Sequence, residues 1–463
     1  MPPSGTSRAG AEGPRMHGSR ASRGKRGGDA AGGNTSLREP RASGGELDDG
    51  AKMSSTASRE PRVSGGAPAG ETDVRIPASR EPRASGGAPL RLLHVSSGNL
   101  YGGVETLLRT LALARTEQDD GAVHAFALCF EGRIAEELRA AGAPLTLLGP
   151  AKVSRPWLVW EARRSLMALL QREAFDAVVC HAAWPQALFG PVVRTAGVPL
   201  IFFQHDALSG AHWVERWARV TLPDLALCNS RYTAGTLSSV YPRTPWRVLH
   251  PPVRDGGAGL TASERASLRG ELGADAADVV IVHASRMQEW KGQRLLLEAL
   301  GRLRQVPRWK AWFAGGSQRP EETAYEEGLK AQALALGLGD RVRFLGQRSD
   351  VPRLLRAAEV HCQPNTGPEP FGLAFVEALY AGLPVVTTAL GGPLEIIDAS
   401  CGVLVPPKPE ALALALRGLI ENESARRTLG GGGPSRAKAL SSPAVFLGAL
   451  EDAVRSVARE PAA

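Results

Sequence analysis

The stretch DVVIVHASRMQEWKGQRLLLEAL, residues 278–300, decides the fold class of its half of the chain. It begins with a short run of β-branched residues, which is typical of a strand buried on both faces of a parallel sheet. It ends with a leucine-rich segment that favours a helix, and the loop between carries Arg286 and Lys291. We therefore predict a strand–loop–helix unit with two cations at the carboxyl end of the strand.

The same alternation of short apolar runs and helical segments fills most of the chain. The runs before a Pro/Gly-rich linker at 250–260 are LRLLHVSS, AVHAFALCF, AFDAVVCH, PLIFFQHD and LALCNS. Those after it are DVVIVHAS, WKAWFAGG, RVRFLGQ, AEVHCQP, LPVVTTA and GVLVPP. This pattern predicts two doubly wound α/β domains that face each other across a cleft, at 89–253 and 254–435. Residues 436–463 hold a final amphipathic helix, and a return of this helix to the first domain is left open.

Residues 1–88 differ from the rest in composition. They are poor in large apolar residues and contain REPRASGG, REPRVSGG and REPRASGG at 38–45, 59–66 and 80–87, a period of 21 residues. Such units lack the apolar stripe that stacked repeats need, so we predict a disordered, low-complexity tail. Duplication of coding DNA, an upstream start codon, and a phosphate- or membrane-binding arm remain alternative origins of the repeats.

The charge of the chain does not indicate a nucleic-acid partner. The net charge is +8, and the tail contributes 14 Lys and Arg against 10 Asp and Glu. The remaining excess is mild and shows no interleaving of aromatic and basic residues. No apolar run approaches the roughly 18 residues of a membrane span, and the start lacks a secretory pattern. We therefore expect a cytoplasmic protein.

The cysteines indicate neither disulfides nor a metal centre, because they are scattered and most lie within strand-like runs. We predict five buried free thiols: Cys129, Cys180, Cys228, Cys362 and Cys401.

Polar residues of the second domain follow its predicted strands. Arg286 and Lys291 follow the first strand, and Gly315, Glu369 and Gly391 follow later ones. Because ligands of open parallel sheets bind at the carboxyl ends of the strands, these residues are expected to converge. Cations and close-approaching glycine backbone suit a diphosphate, and ionised carboxylates accept hydrogen bonds from adjacent sugar hydroxyls. Together they indicate a nucleotide sugar.

The segment GPEPFGLAFVEAL, residues 367–379, holds two glutamates in apolar company. Prolines on either side of Glu369 exclude regular structure there, and a helix is expected to begin near Gly372. Glu377 then lies in the second helical turn and faces back toward the loop. Burial of this carboxylate without partners would be costly, so a ligand role is favoured over an exposed or Arg-paired glutamate.

Four motifs carry a family resemblance: HASRMQEWKGQRLLLEAL, RVRFLGQ, PEPFGLAFVEALYAGLPVVTT and GGPLEII, in this order. They resemble the donor-binding domain of the retaining glycosyltransferases of family 4 (glycosyl transferases group 1), which have the GT-B fold. The resemblance implies two Rossmann-like domains, with 89–253 on the acceptor side and 254–435 binding the donor. It also implies transfer of a hexosyl group from a nucleotide sugar to an unidentified acceptor in glycan, polysaccharide or glycolipid biosynthesis.

The resemblance assigns roles to the second-domain residues. Arg286 and Lys291 would hold the donor diphosphate, Glu369 would lie beside the transferred sugar, and Glu377 would bind the ribose. The candidate catalytic residues are Glu369, His205, Arg286 and Lys291, and the candidate substrate-binding residues are Glu377, Phe371, Gly372, Gly102, Gly103 and Gly315. For Phe371 and Gly372 the expected contact is through backbone N–H groups.

The first domain matches the family more loosely. Its loop GNLYGGVE resembles the family's glycine loop against the diphosphate, which implicates Gly102 and Gly103. The segment FFQHD is similar to a loop whose histidine lies near the reacting centre, so His205 is the candidate there, with a purely structural role as the alternative. The segment LCNSRYT, with Asn229 and Ser230, is expected to be mainly architectural.

Three features depart from the family pattern. Asn365 stands where a small serine-like residue is usual, and Gly391 to Leu394 precede Glu395 with altered spacing. Both are expected to alter the preference for the donor. The run TLGGGGPSRAKAL, 428–440, is unusually rich in glycine and makes the course of the last helix hard to predict.

No metal or cofactor is expected, because the globular part has no Asp-x-Asp and no metal-ligand spacing of His or Cys. A nicotinamide oxidoreductase is disfavoured, since GNLYGG is not G-x-G-x-x-G. A catalytically silent nucleotide-sugar-binding protein and a GT-B epimerase or phosphorylase remain alternatives. The segment SRPWLVWEARRSLMALL, 154–170, predicts either a helix packed on the first sheet or a peripheral membrane contact.

Overall fold

A computed structural model describes residues 89–99, 102–114, 122–257, 259–317 and 319–458. The predicted disordered tail, residues 1–88, lies outside these described residues, as do the last five residues of the chain.

The strands of the described residues form two sheets, each with parallel pairing throughout. The first sheet contains β1 (Arg91–Ser96), β2 (Val123–Leu128), β3 (Leu145–Leu147), β4 (Ala177–His181), β5 (Leu200–Gln204), β6 (Leu225–Cys228) and β7 (Trp246–Val248). The second sheet contains β8 (Val279–Ala284), β9 (Trp309–Ala314), β10 (Val342–Gly346), β11 (Val360–Gln363), β12 (Val385–Thr388) and β13 (Gly402–Val405).

Helices connect the strands and cover the sheets. Those of the first half are α1 (Gly103–Ala114), α2 (Arg133–Ala140), α3 (Pro156–Arg172), α4 (Ala183–Thr195), α5 (Trp213–Ala218) and α6 (Arg231–Leu237). Those of the second half are α7 (Ala262–Glu271), α8 (Gln293–Arg302), α9 (Pro320–Ala335), α10 (Val351–Ala357), α11 (Leu373–Tyr380), α12 (Pro393–Ile396) and α13 (Pro409–Glu421). The chain continues with α14 (Glu423–Ser441) and α15 (Pro443–Arg455).

The strand order of both sheets is doubly wound. It is β3-β2-β1-β4-β5-β6-β7 in the first sheet and β10-β9-β8-β11-β12-β13 in the second. The direction of winding therefore reverses between β1 and β4, and again between β8 and β11. Ligands of doubly wound sheets bind in the crevice at such switch points. The predicted fold class is confirmed, and the structure singles out the ends of these four strands.

Apolar layers cover both faces of each sheet. In β1, Leu92 packs into the layer on one face and Leu93 into the layer on the other. In β8, Val280 and Ile281 divide in the same way. Both faces are buried, which is why these strands appear in the sequence as continuous apolar runs and not as alternating ones.

Two strands, β3 and β7, were not expected from the sequence. Each has three residues and lies at an edge of the first sheet, where the side chains are mostly half-buried. A strand this short and this exposed leaves no apolar run to detect.

The glycine-rich run at 428–440 is part of a helix. α14 passes through Gly430 and Gly432, where a Cβ atom would overlap the carbonyl oxygens of Gly382 and Ser400 respectively. The glycines therefore allow α14 to lie unusually close to α11 and the loops beside it. Packing overrides the weak helix propensity of glycine here.

The last helix packs on the first sheet. Phe446 and Leu450 of α15 are buried in the same apolar layer as Leu92, and the Glu451 carboxylate accepts a hydrogen bond from the Ala122 N–H at 3.2 Å. The chain therefore returns to its first half after completing the second.

The five cysteines are free and buried, as predicted. None of the described helices is long and apolar enough to cross a membrane.

Candidate active site

A nearly buried ion pair lies at the switch point of the second sheet. Lys291 Nζ is 2.6 Å from Glu369 Oε2, and the two side chains are 14% and 8% exposed. Lys291 follows β8 and Glu369 follows β11, and these strands are neighbours in the sheet. The sequence prediction that these residues converge at one sheet edge agrees with this geometry.

The turn that carries Lys291 depends on a glycine. Residues 289–291 form a single 3₁₀ turn, and Gly292 follows it in the left-handed conformation with φ of 79°. A Cβ atom at Gly292 would overlap the carbonyl oxygen of Pro364. The turn after β8 therefore lies directly on the loop after β11, which brings the lysine to the glutamate.

Neighbouring amides fix the orientation of Glu369. Asn365 Nδ2 and Gln363 Nε2 donate to Glu369 Oε2 at 2.6 and 3.3 Å. The Gly392 N–H donates to the Glu369 carbonyl at 2.8 Å. In the described part of the chain, no group donates to Glu369 Oε1, so one carboxylate oxygen is left for a ligand. Asn365, which the sequence marked only as a departure, is thus the residue that aligns the candidate glutamate.

Arg286 lies beside the pair and is partly exposed. Its guanidinium makes no hydrogen bond or ion pair with any residue that the structure describes, whereas its carbonyl accepts from Gln293 Nε2 at 2.8 Å. The backbone is therefore fixed and the charged group is available to an anion.

The field of Arg286 reaches two carboxyl groups of the first half, Asp206 and Glu105. Burial raises the pKa of Asp206, the charge of Glu369 raises it further, and Arg286 and Lys291 partly oppose the shift. Burial also raises the pKa of Glu105, again against the influence of Arg286. Asp206 keeps solvent-accessible surface, although protein groups from both halves surround it. The end of β5 thus faces the ends of β8 and β11.

His205 directly precedes Asp206 and is buried. Its Nε2 is 3.0 Å from His181 Nδ1, and its carbonyl accepts a hydrogen bond from Asn229 Nδ2 at 2.7 Å. Burial lowers the pKa of His205 to about 3, so the ring is neutral at physiological pH. Asp206, the next residue in FFQHD, was not among the residues predicted from the sequence, although it lies in the field of Arg286, Lys291 and Glu369.

The glycine loop of the first half faces α11. The Gly102 N–H donates to Glu105 Oε2 at 2.9 Å. Gly103 begins α1, and a Cβ atom there would lie 3.4 Å from Leu373 Cδ1 of α11. Gly103 thus lies beside the donor-side helix, whereas the contact of Gly102 and Gly103 with a diphosphate stays a prediction.

The start of α11 offers backbone N–H groups, and not polar side chains, as possible ligand contacts. The Phe371 ring is buried and stacks on His250, with centroids 5.3 Å apart. Gly372 has φ of 112°, and a Cβ atom there would overlap the Phe375 ring. The N–H groups of Phe371 and Gly372 donate to no residue of the described ranges, which leaves them free at a helix N-terminus.

Gly315, a candidate substrate-binding residue, uses its backbone N–H within the protein. Its N–H donates to the Gly346 carbonyl at 2.9 Å and is therefore not free to bind an anion. A Cβ atom at this position would overlap the Ser285 carbonyl oxygen. Gly315 is needed because β9 and the loop after β8 approach closely, which a sequence motif does not distinguish from a ligand contact.

Glu377 lies in the second turn of α11, as predicted, and is partly exposed. It forms no hydrogen bond or ion pair with any of the described residues. Burial raises its pKa to about 7. The alternative of a stabilising arginine partner thus finds no support among those residues.

Hydrogen bonds join the two halves beside the site. Glu395 accepts from the Tyr232 N–H at 3.1 Å and lies 3.0 Å from His250 Nε2. Burial acts to raise the pKa of Glu395, but the hydrogen bonds from His250 and the backbone outweigh it, and the pKa lies below its usual value. Ser230 Oγ donates to the Pro370 carbonyl at 2.5 Å. The expected architectural role of Asn229 and Ser230 agrees with these bonds.

Within the described ranges, no group of three or more His, Cys, Asp or Glu side chains has the arrangement of a metal site.

Two family models match the chain. Residues 101–256 match Glycosyltransferase Family 4, and residues 264–436 match Glycosyl transferases group 1. Among curated relatives, a D-inositol 3-phosphate glycosyltransferase of a Mycobacterium species is 35% identical over 187 residues, which is 39% of this chain and 41% of the relative. A Nocardioides enzyme of the same name is 31% identical over 301 residues, 58% of this chain and 64% of the relative. The chain therefore spans less than two thirds of the length of these relatives.

Solved structures share the fold. HepE from Anabaena, crystallised with UDP and glucose, matches with a TM-score of 0.69 and 24% identity, over 79% of this chain and all of that one. A glycosyltransferase from Rickettsia africae matches with a TM-score of 0.71 and 18% identity, over 81% of this chain and all of that one. With both halves matched by glycosyltransferase models and the doubly wound pair of domains in common, this chain belongs to the family 4, group 1 glycosyltransferases of GT-B fold.

Proposed function

We propose that this protein transfers a hexosyl group from a nucleoside-diphosphate sugar to an acceptor hydroxyl, with retention of the anomeric configuration. The observation that carries the proposal is the nearly buried pair of Lys291 and Glu369, with the unpaired guanidinium of Arg286 beside it. Two cations suit the diphosphate, and the free carboxylate oxygen suits sugar hydroxyls.

The diphosphate lies against Arg286, Lys291 and the start of α11 in this account. The Lys291 ammonium has three donors, of which one is directed to Glu369. The free N–H groups of Phe371 and Gly372 add a partial positive charge. As the sugar departs, negative charge grows on the leaving phosphate, and these fixed groups stabilise it.

The transferred sugar lies at Glu369, whose Oε1 accepts hydrogen bonds from its hydroxyls. Asn365 and Lys291 hold the carboxylate in place, so little reorganisation is needed when the sugar binds. The C1–O bond to the diphosphate breaks, and a C1–O bond to the acceptor forms on the same face of the ring. The acceptor hydroxyl proton passes to the leaving phosphate oxygen, which balances the reaction without a protein nucleophile.

We propose that no divalent metal takes part. The positive charges of Arg286 and Lys291 would neutralise most of the negative charge of the diphosphate, which a metal ion does in other phosphate-binding sites. Glu377, with its raised pKa, is assigned to the ribose, where it accepts hydrogen bonds from two hydroxyls once it is ionised.

The relatives suggest where to begin with substrates. The curated relatives are named D-inositol 3-phosphate glycosyltransferases, and HepE was crystallised with UDP and glucose. UDP-glucose is therefore the first donor to test, and inositol phosphate the first acceptor. Glycan, polysaccharide and glycolipid acceptors form the wider class.

We also propose a cytoplasmic location with peripheral contact to the inner membrane surface. α3 packs its apolar stripe into the first half, which is one of the two arrangements predicted for 154–170. Its Trp157 and Trp160 side chains are nevertheless 59% and 60% exposed. Trp213 of α5 is 45% exposed, and the Arg163 guanidinium lies 5.9 Å from the Trp217 ring centroid between the two helices. Exposed tryptophan with arginine is typical of membrane–water interfaces.

Replacement of Lys291 by Gln tests the donor site. The amide keeps hydrogen-bond donors but carries no charge, so acceptor-dependent release of nucleoside diphosphate should fall by roughly 100-fold to 1,000-fold. Lys310→Ala, at a partly exposed lysine of β9 that donates to the Asp340 carbonyl, is the control and should retain activity. Activity of the wild type should survive EDTA.

Turnover of Lys291→Gln within a few-fold of the wild type would refute the phosphate assignment. A catalytically silent binding protein would bind the donor but release no diphosphate when acceptor is added.

Glu377→Gln should stabilise the unliganded protein at high pH. A carboxyl whose pKa is raised from 4.5 to about 7 stabilises the fold below about pH 4.5, and this contribution is lost as the pH rises through 7. At pH 8 the free energy of unfolding of the variant should therefore exceed that of the wild type by on the order of 1–2 kcal/mol, and the variant should melt at a higher temperature. At pH 4.5 the two proteins should melt at the same temperature. The same variant should bind nucleoside diphosphate more weakly at pH 8. A lower melting temperature at pH 8 would show that Glu377 has a stabilising partner.

The membrane contact is tested with Trp157→Ala/Trp160→Ala. The double variant should lose roughly 10-fold or more in affinity for vesicles containing phosphatidylglycerol, because two large interfacial rings are removed. Leu334→Ala/Leu414→Ala, at two exposed leucines of the second half, is the matched control. Equal vesicle binding by the wild type and the tryptophan variant would exclude this surface.

A further inference from the structure

Four buried histidines form one continuous hydrogen-bonded chain that ends at the candidate site. They come from four adjacent strands or strand ends of the first sheet, in the order β2, β1, β4 and β5. His124 Nδ1 is 2.9 Å from His94 Nε2, and His94 Nδ1 is 2.9 Å from His181 Nε2. His181 Nδ1 is 3.0 Å from His205 Nε2. Each link therefore joins an Nδ1 atom to an Nε2 atom of the next ring.

Three of the four rings, those of His94, His181 and His205, are neutral at physiological pH. Burial lowers the pKa of His94 and of His181 well below the usual value, and neighbouring histidines lower both further. The pKa of His205 is about 3. A neutral imidazole has one donor nitrogen and one acceptor nitrogen. The links that join His94, His181 and His205 are consequently N–H···N bonds with a single proton each.

This geometry couples the tautomers of the rings. If His181 carries its proton on Nδ1, it donates to His205 Nε2, and His205 must then carry its own proton on Nδ1. By the same reasoning at the link to His94, either His94, His181 and His205 are all protonated on Nδ1 or all three are protonated on Nε2. A single ring that switched alone would place two hydrogens, or two lone pairs, against each other. The proton position on His205 thus depends on His181.

Aromatic packing prevents rotation of the rings. Phe203 stacks on His205 with centroids 4.4 Å apart and also contacts His181 at 5.6 Å. Phe126 stacks on His94 at 5.5 Å. Phe446 of α15 stacks on Phe203 in turn, so the last helix also packs against the aromatic residue that holds His205 and His181. Hydrogen bonding and packing therefore both fix the plane of His205.

We propose that His181 is a positioning residue for the sugar transfer: it fixes which nitrogen of His205 carries the proton at the edge of the cleft. Nδ1 of His205 is the ring nitrogen that the chain does not use, and His181 decides whether it donates to or accepts from a substrate hydroxyl. This inference rests on the proposed function, because His205 needs a defined tautomer only if a sugar or acceptor binds beside it. The stability of the fold requires only that each buried imidazole has hydrogen-bond partners. It does not require that the row of histidines ends at the candidate site.

The first test measures tautomers in the full-length wild-type protein. Two-bond ¹H–¹⁵N correlation spectra of protein labelled in histidine distinguish Nδ1–H from Nε2–H imidazoles. We expect His94, His181 and His205 to share one tautomer. Mixed tautomers among these three rings would overturn the proposal, and this measurement needs no variant and no substrate.

The second test replaces His181. His181→Phe keeps an aromatic ring but removes both hydrogen bonds, whereas His181→Gln keeps a donor and an acceptor. In His181→Phe we expect His205 to populate both tautomers and kcat to fall roughly 10-fold to 100-fold. Affinity for nucleoside diphosphate should change less than about twofold, since the donor groups lie on the other half. His181→Gln should recover most of the kcat and a single His205 tautomer.

His361→Phe is the matched control. His361 is buried in β11, and neither of its ring nitrogens has a hydrogen-bond partner in the described chain. We expect this variant to keep the kcat and the His205 tautomer of the wild type. An unchanged His205 tautomer in His181→Phe, or a loss of kcat no larger than in His361→Phe, would overturn the proposal. Absence of turnover in the wild type would refute the proposed function instead, and the spectra would still decide the coupling.

Discussion

The ion pair of Lys291 and Glu369 is the interaction on which the rest of the site depends. Removing two charges from water is costly, and their attraction offsets that cost only with good geometry and further hydrogen bonds. The loops around the pair supply both. Gly292 allows the lysine turn to rest on the Pro364 carbonyl, and Asn365 donates to the same carboxylate oxygen as the lysine. Asn365, which departs from the expected sequence pattern, thus orients Glu369.

The cleft brings charge of opposite sign together from the two halves. Arg286 on the second half faces Asp206 and Glu105 on the first, whose pKa values burial raises. These carboxyl groups do not form ion pairs with the arginine, so its charge is available to an anion. Glu395 works differently, because its hydrogen bonds with His250 and Tyr232 N–H join the halves directly. Glu395 thus links the two halves, whereas Asp206 and Glu105 lie between them without such bonds to Arg286.

The sequence predicted the parts of the structure that leave a local pattern. Buried parallel strands appear as apolar runs, and residues that follow them meet at one edge, which located Arg286, Lys291 and Glu369. What it missed depends on distance across the fold. Gly315 and Gly430 are needed for close backbone contacts, and the pairing of His94 with His181 joins residues 87 positions apart. A single sequence contains no trace of such contacts, nor of the three-residue edge strands.

The central claim is that Lys291 binds the diphosphate and Glu369 the sugar. Calorimetric titration of UDP and of UDP-glucose into Lys291→Gln and Glu369→Gln tests this division most directly. The account predicts that Lys291→Gln weakens both ligands alike, whereas Glu369→Gln weakens UDP-glucose and leaves UDP nearly unchanged. If Glu369→Gln weakened UDP as much as UDP-glucose, or if Lys291→Gln left UDP binding unaltered, the account would be contradicted.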